Sequence, residues 1–301
     1  MLLYTKAHLL EFTPRHAFFA GIDSDGCVFD SMEIKQKNHF HPLILRHWGL
    51  EAVEPQLRET AEFVNLYSHW RGQNRFPALL KTFELLNERP EVRRTGIPLP
   101  ETEALRAYCE SGLPLGNTSL AEEVRRSGAD ELKRVLDWSL AVNADITANM
   151  PKIPPFPSAI KSLEKLKQQA DILVVSQTPE EALVKEWEEN EMTPFVRLIA
   201  GQELGTKTEH LQMATSGRYP PEKVLMIGDA AGDRRAAEAV GACFYPINPG
   251  REEASWQRFH HEAFDRFLSG TFAGAYQQAL NAEFEALLPE IPPWKKAPLS
   301  G

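Results

Sequence analysis

The stretch FFAGIDSDGCVFDS, Phe18 to Ser31, constrains the fold most. Phe18, Phe19, Ala20 and Ile22 make an apolar run that ends abruptly in Asp23-Ser24-Asp25-Gly26. Such a run, closed by a polar turn containing glycine, predicts a strand buried on both faces, as in a parallel sheet. In open α/β sheets, ligands gather beyond the carboxyl ends of the strands. Two carboxylates, two residues apart, therefore stand where a ligand would bind. Asp and Gly are also ordinary turn residues, so taken alone the same residues read as a turn. Three later stretches bear on that choice.

The chain has 301 residues, 43% of them hydrophobic and 25% charged, which predicts an ordered globular protein. That length suits one domain with a large insertion. A net charge of -9 argues against a general nucleic-acid binder, although local groups can still hold a phosphate. Cys27, Cys109 and Cys243 are few and far apart, which predicts reduced thiols in a cytoplasmic protein without a disulfide framework or zinc pattern. The opening MLLYTKAHLLEFTPRH is interrupted by Lys6, His8, Glu11 and Pro14. It is too short and too polar for a signal peptide's apolar core or a membrane span, so no membrane partner is expected.

Met32 to Met150 is far longer than the ~12–15 residues of a structureless loop, and it predicts a separate helical unit. Phe40, Leu43, Ile44 and Trp48 share one helical face, which Gly49 can end. Phe63, Leu66, Tyr67 and Trp70 repeat the spacing, as do Leu79, Leu80, Phe83 and Leu86. Ser119 with Glu122 makes a capping-box pattern, and Leu132, Val135, Leu136 and Leu140 follow on one face. These stripes predict the core of a helix bundle. The loop His69 to Phe76, HWRGQNRF, carries Arg71 and Arg75 around Gly72 and Asn74. Arginine suits bidentate recognition of a carboxylate or second phosphate, and Asn74 could bond a sugar-like hydroxyl. A plain helix connection with solvated arginines is the alternative.

The Pro-rich segment Met150 to Ala159 predicts a semi-rigid connector, and a helix follows through Ile160, Leu163 and Leu166. Ile172 to Val175 predicts a buried strand with Ser176 at its end. Thr178, Pro179 and Glu181 then predict a helix start with Thr178 as the N-cap. A strand from Val196 to Ala200 precedes a second capping box, Thr206 with Glu209, which puts Lys207 at the first helical position. A cation there opposes the helix dipole, as expected where function outranks stability. Val224 to Ile227 predicts another buried strand, followed by the Gly228-Asp229 turn and a helix that begins at Asp233. Asp233 is favoured by the helix dipole, whereas Asp229 has no such packing role. A last strand, Ala242 to Ile247, closes the α/β part. Beyond Pro249, Trp256, Phe259, Ala263 and Phe267 are spaced for one helical face, which predicts a tail docked on the core or on a second subunit.

Asp23-Ser24-Asp25, Ser176, Lys207 and Gly228-Asp229-Ala230-Ala231-Gly232-Asp233, in this order and strand context, resemble the four motifs of the haloacid dehalogenase superfamily of phosphohydrolases. The resemblance covers about Ala17 to Ser31 and Pro151 to Pro249. It implies an α/β fold, a doubly wound and mostly parallel Rossmann-like sheet, with a helical type-one cap inserted after the first strand and a helical C-terminal tail. The expected division is 1–31 with 151–250 for the core, 32–150 for the cap and 251–301 for the tail.

By the same resemblance, Asp23 is a nucleophile that forms an aspartyl-phosphate, and Asp25 is its acid and base. Ser176 and Lys207 would bind phosphoryl oxygens. Mg2+ would be held by Asp23, the Asp25 carbonyl and Asp229, with Asp233 behind or through water. The substrate would be a small phosphorylated metabolite, with Arg71 and Arg75 as candidate cap contacts. A phosphomutase uses the same motifs, and a non-catalytic binding or regulatory protein is the alternative of a different class. Cys27 departs from the threonine of many members. A homo-oligomer built through the tail is a further expectation.

Overall fold

The computed structural model describes residues 3–295. The chain forms two compact units, residues 3–32 with 152–289, and residues 33–151 with 290–295. Residues 296–301 of the expected tail, and the first two residues of the opening segment, lie outside the described residues.

The first unit is built on a five-stranded sheet, parallel throughout. Its strands are β1 (Phe18–Ile22), β2 (Ala170–Val175), β3 (Leu198–Ala200), β4 (Val224–Gly228) and β5 (Cys243–Pro246). All five were legible as apolar runs, although β2 begins two residues before the expected Ile172 and β3 two residues after the expected Val196. The order is β3-β2-β1-β4-β5. The chain steps outward from β1 to β3, then returns to the other side of β1 for β4 and β5. That reversal puts the topological switch point, where such sheets bind ligands, at the carboxyl end of β1.

Alternate strand residues pack on opposite faces. Phe19, Leu173, Val175, Val224 and Met226 share a core with Leu211 and Ala214 of the helix Lys207–Thr215 and with Ala236 and Ala237 of the helix Ala231–Ala239. The packing is tight enough that a Cβ at Gly21 would come within 2.8 Å of Leu211 Cδ2. At the amino end of β2, Asp171 accepts from Arg15 N (2.7 Å), His16 N (2.9 Å) and Tyr219 Oη (2.8 Å), and it pairs with Arg197. This end of the sheet is closed by structural bonds.

The tail docks on the core as far as residue 289. Trp256, Phe259 and Ala263 are wholly buried, and Trp256 Nε1 donates to the Cys27 carbonyl at 2.7 Å. Residues 290–295 instead belong with the helical unit, which corrects the single tail expected over 251–301.

The second unit is all helical. The helix His41–Trp48 ends at Gly49 in the left-handed region, φ 64°, as glycine permits. Ile44, Leu79, Leu80, Phe83, Leu86, Leu132 and Val135 form its core with Trp138, and Phe40, Leu43, Trp48 and Leu136 pack against it. Three expectations fail. The helix Glu54–Asn65 stops before Leu66, so Tyr67 lies beyond it, exposed, with its hydroxyl donating to Glu33 at 2.5 Å. The helix Asn117–Ser127 is capped by Gly116, which puts Ser119 and Glu122 inside it rather than at a capping box. Leu140 is exposed. Among the described residues no helix is long and apolar enough to cross a membrane.

Candidate active site

The turn after β1 is folded by its own backbone. Asp23 N still donates to Ile227 O (3.0 Å), continuing the ladder with β4, while Val28 N donates back to Ser24 O (2.9 Å). Gly26 takes φ 75°, the left-handed conformation the turn needs. Side chains alternate along this extended start. Ser24 points into the core, accepting from Trp187 Nε1 at 2.9 Å, so Asp23 and Asp25 face elsewhere.

Asp23 is 6% exposed. Its Oδ1 accepts from Ser24 N (2.8 Å) and its Oδ2 from Lys207 Nζ (2.7 Å). Lys207 also reaches Asp233 Oδ1 at 2.5 Å. The capping box that orients it is formed as expected, with Thr206 Oγ1 accepting from Glu209 N (3.2 Å) and Glu209 accepting from Thr206 N (2.7 Å). Asp233 Oδ2 accepts from Ala230 N at 3.0 Å. Helix capping and site chemistry therefore use different oxygens of one carboxylate. The glycine of Gly228-Asp229 has a steric reason, because a Cβ there would collide with the Asp233 carboxyl group.

Asp23, Asp229 and Asp233 each offer one oxygen, and these oxygens lie within 4.8 Å of one another in a buried cluster. Three carboxylates against one ammonium leave an excess of negative charge, and the titrations respond to it. Burial pushes Asp233 up to about 7, opposed by Lys207 and reinforced by Asp23 and Asp229. Burial alone would lower Lys207, but Asp23 and Asp233 outweigh it and hold the ammonium protonated well above the usual range. The buried Cys27 thiol is pushed up by burial first, then by Asp229, Asp23 and Asp233. A hard divalent cation fits this donor set, since it would supply the missing positive charge to clustered carboxylate oxygens.

Asp25 is held by hydroxyls. Ser31 Oγ donates to Asp25 Oδ1, and Thr178 Oγ1 donates to Asp25 Oδ2 at 2.8 Å. Neither partner stood among the expected site residues. Thr178 had instead been expected as an N-cap. The helix actually runs Glu180–Glu189 with Pro179 at the N-cap, which leaves the Thr178 hydroxyl for Asp25. Ser176 lies one residue beyond β2 and is 2% exposed, with its Oγ accepting from Thr178 N at 3.3 Å. The rival lysines are elsewhere. Lys223 precedes β4 at its amino end, and Lys185 lies inside its helix.

In the helical unit, Arg71 is buried and donates from Nη1 to Leu66 O at 3.0 Å. Arg75 opens the helix Arg75–Glu88 and donates from Nη1 to Asn143 Oδ1 at 2.8 Å. Asn74 is committed to structure. Its Oδ1 accepts from Phe76 N (3.0 Å) and its Nδ2 donates to Leu115 O (2.9 Å), which leaves it poorly suited to a sugar hydroxyl.

No protein-family model and no curated protein matches the sequence. Among solved structures, the chain is similar to a protein from Lactobacillus delbrueckii subsp. bulgaricus described as a phosphoglycolate phosphatase, with 16% identity over 82% of this chain and 92% of that one, and a TM-score of 0.46. It is similar to a protein from Bacteroides vulgatus described as a beta-phosphoglucomutase, with 17% identity over 88% and 95% and a TM-score of 0.45. A haloacid dehalogenase-like family hydrolase from Streptococcus pneumoniae gives 17% identity over 81% and 91%, and a TM-score of 0.44.

Proposed function

We propose that the protein is a metal-dependent phosphohydrolase that cleaves a small phosphate monoester through Asp23. The observation that carries this reading is the buried cluster of Asp23, Asp229 and Asp233, with Lys207 bridging Asp23 and Asp233. A carboxylate nucleophile needs a cation beside it to receive a dianionic phosphoryl group, and Lys207 stands 2.7 Å from the attacking carboxylate's oxygen.

In this reading an Asp23 oxygen attacks phosphorus, and the bond to the ester oxygen breaks. Asp25 gives its proton to the departing oxygen, then takes one from the water that attacks the Asp23-phosphoryl group. Ser31 and Thr178 fix the orientation of Asp25. The Lys207 ammonium and the Ser176 hydroxyl bind the equatorial oxygens, over which transition-state charge is spread. Asp23, Asp229, the Asp25 carbonyl and Asp233 would hold Mg2+. Bound there, the ion would neutralise the carboxylates and the charge of the transferring group. Arg71 and Arg75 remain candidates for contacts to the rest of the substrate.

The test is phosphate release from an aryl phosphate with Mg2+, after EDTA, and after Mg2+ is added back. Turnover that chelation stops and Mg2+ restores is expected. Turnover that survives EDTA would overturn the metal-dependent reading, and transfer to a sugar hydroxyl rather than water would make the protein a phosphomutase.

A further inference from the structure

We propose that Glu203 is a positioning residue whose carboxylate clamps the loop carrying Ser176 and Thr178 to the loop that delivers Lys207. Resting on the phosphohydrolase reading, the clamp sets the orientation of Asp25 through Thr178.

Both loops follow parallel strands of the same sheet, within one compact unit. The first, Ser176 to Pro179, joins β2 to the helix Glu180–Glu189. The second, Gly201 to Thr206, joins β3 to the helix Lys207–Thr215. Hydrogen bonds cross at successive positions. Ser176 N donates to Ala200 O (3.0 Å), which carries the β2–β3 ladder one step further. Gln202 N donates to Thr178 O (3.1 Å), Glu180 N to Glu203 Oε2 (3.0 Å) and Gln177 Nε2 to Gly205 O (2.9 Å).

The local sequence creates the need for Glu203. Glu180 opens a ten-residue helix, and the first N–H groups of a helix have no partner within it. A Ser, Thr, Asp or Asn at the N-cap ordinarily supplies an acceptor. Here the N-cap is Pro179, whose side chain has none. The Thr178 hydroxyl donates to Asp25 Oδ2 instead. Glu203 therefore takes the cap's place from the neighbouring loop, and its charge suits the positive end of the helix. Gly201 lets the loops come this close. Its φ of -88° is open to any residue, but a Cβ would stand 2.7 Å from Glu180 N. This glycine is set by the contact and not by its own backbone.

The consequence reaches the site. Thr178 is held by its carbonyl, on Gln202 N, while its hydroxyl stands 2.8 Å from Asp25 Oδ2. The second loop runs on from Glu203 into Lys207, whose ammonium lies 2.7 Å from Asp23 Oδ2. One clamp thus spaces the group that orients the proton donor against the cation that binds phosphoryl oxygens.

The full chain, Glu203→Ala, Glu203→Gln, Thr178→Val and the double variant with Glu203→Ala and Thr178→Val would be compared on an alkyl and an aryl phosphate. Glu203→Ala should lower the alkyl-to-aryl ratio of kcat by about three-fold or more, the effect of one ordinary hydrogen bond, because the alkyl ester depends more on the Asp25 proton. Glu203→Gln keeps an acceptor oxygen and should recover most of the ratio. In the double variant the two losses should not multiply, since Glu203 acts through Thr178. A general loosening would lower both esters alike. An unchanged ratio, a glutamine no better than alanine, or losses that multiply would each overturn the clamp.

A second readout needs no turnover. Amide hydrogen exchange at Gln202, whose N–H donates to Thr178 O, should become faster by about three-fold or more in Glu203→Ala, with strand β4 unchanged. Unchanged exchange at Gln202, or an equal increase in β4, overturns the clamp. If Gln202 alone responds while no ester is hydrolysed, the phosphohydrolase reading fails and the clamp stands.

Discussion

The Lys207 ammonium lies 2.7 Å from Asp23 Oδ2, so the cation required by the local charge balance is also in contact with the proposed nucleophile. Its side chain is 10% exposed and its other partner, Asp233, is fully buried. Removing one member of a buried pair costs about 3–5 kcal/mol, because the charges left behind are uncompensated. Lys207→Met should therefore melt well below the wild-type chain in EDTA, and millimolar Mg2+ should recover part of the difference. A melting temperature in EDTA equal to that of wild type would show that the carboxylates do not need this cation.

Asp23 receives Ser24 N on one oxygen and Lys207 on the other, which fixes its carboxylate at the switch point of the sheet. Asp23→Asn keeps the shape and removes the nucleophile. Activity should fall below about one per cent of wild type, a barrier increase above ~2.7 kcal/mol. A folded variant with more activity than that would take the nucleophile's role from Asp23.

The two hydroxyls on Asp25 predict a dependence on the leaving group. Thr178→Val retains the shape and deletes the Thr178 donor. A hydrogen bond to a charged group contributes roughly 1.5–3 kcal/mol, so a loss of about ten-fold or more is expected. The loss should be larger for an alkyl phosphate than for an aryl phosphate, whose departing oxygen needs a proton least. Thr178→Ser should restore the alkyl activity. Equal losses on both esters would leave Thr178 with a purely structural task.

These contacts show what a sequence can carry and what it cannot. Lys207 and Asp233 were legible because each stands in the first turn of a helix, Lys207 beside the Thr206–Glu209 capping box and Asp233 accepting from Ala230 N, a local pattern written within a few residues. The five strands were legible because burial on both faces forces continuous apolar runs. Thr178 was misread because a hydroxyl before proline is an ordinary cap, and only the fold reveals a competing carboxylate 153 residues away in sequence. Ser31 had no local signal at all. Tyr67 and Leu140 followed the helical period, but the period does not say where a helix stops or which flank meets water. The neutral surroundings of Arg75 depend on Ser139 and Asn143, 64 and 68 residues away, so spacing could offer the arginine without its partners.

His41 gives the helical unit an acid-sensitive element. The side chain is wholly buried, and neither ring nitrogen has a hydrogen-bond partner among the described residues. Burial, with Arg58 and Lys37 adding to it, lowers the imidazole to about 3. The unfolded chain titrates near the ordinary value of ~6.5 and thus binds a proton that the folded chain refuses. Stability from this residue is complete above about pH 6.5 and falls as pH drops toward 3, by at most ~1.4 kcal/mol per unit. His41→Leu should flatten that loss. Urea midpoints at pH 7.5 and 5 for the two proteins would check it, and identical pH dependence would exclude His41 as a source.

Trp294 ties the last described residues to the helical unit. Its ring lies 5.5 Å from that of Phe63 and 4.5 Å from the Arg89 guanidinium, and Lys295 pairs with Glu88 beside it. Phe63 is 4% exposed, so part of its cover comes from a residue more than 200 positions later. An aromatic in a proline-rich end has no period to announce it, which is why the sequence left it within an undivided tail. Trp294→Ala should cost about 1–3 kcal/mol, less than a fully buried tryptophan because this one is half-buried. Trp294→Phe should recover most of that, since the indole N–H is buried without a partner among the described residues and its loss is no penalty. Amide hydrogen exchange along the helix Glu54–Asn65 would locate the effect. Protection there that is unchanged in Trp294→Ala would mean that the terminal residues rest on this unit without supporting it.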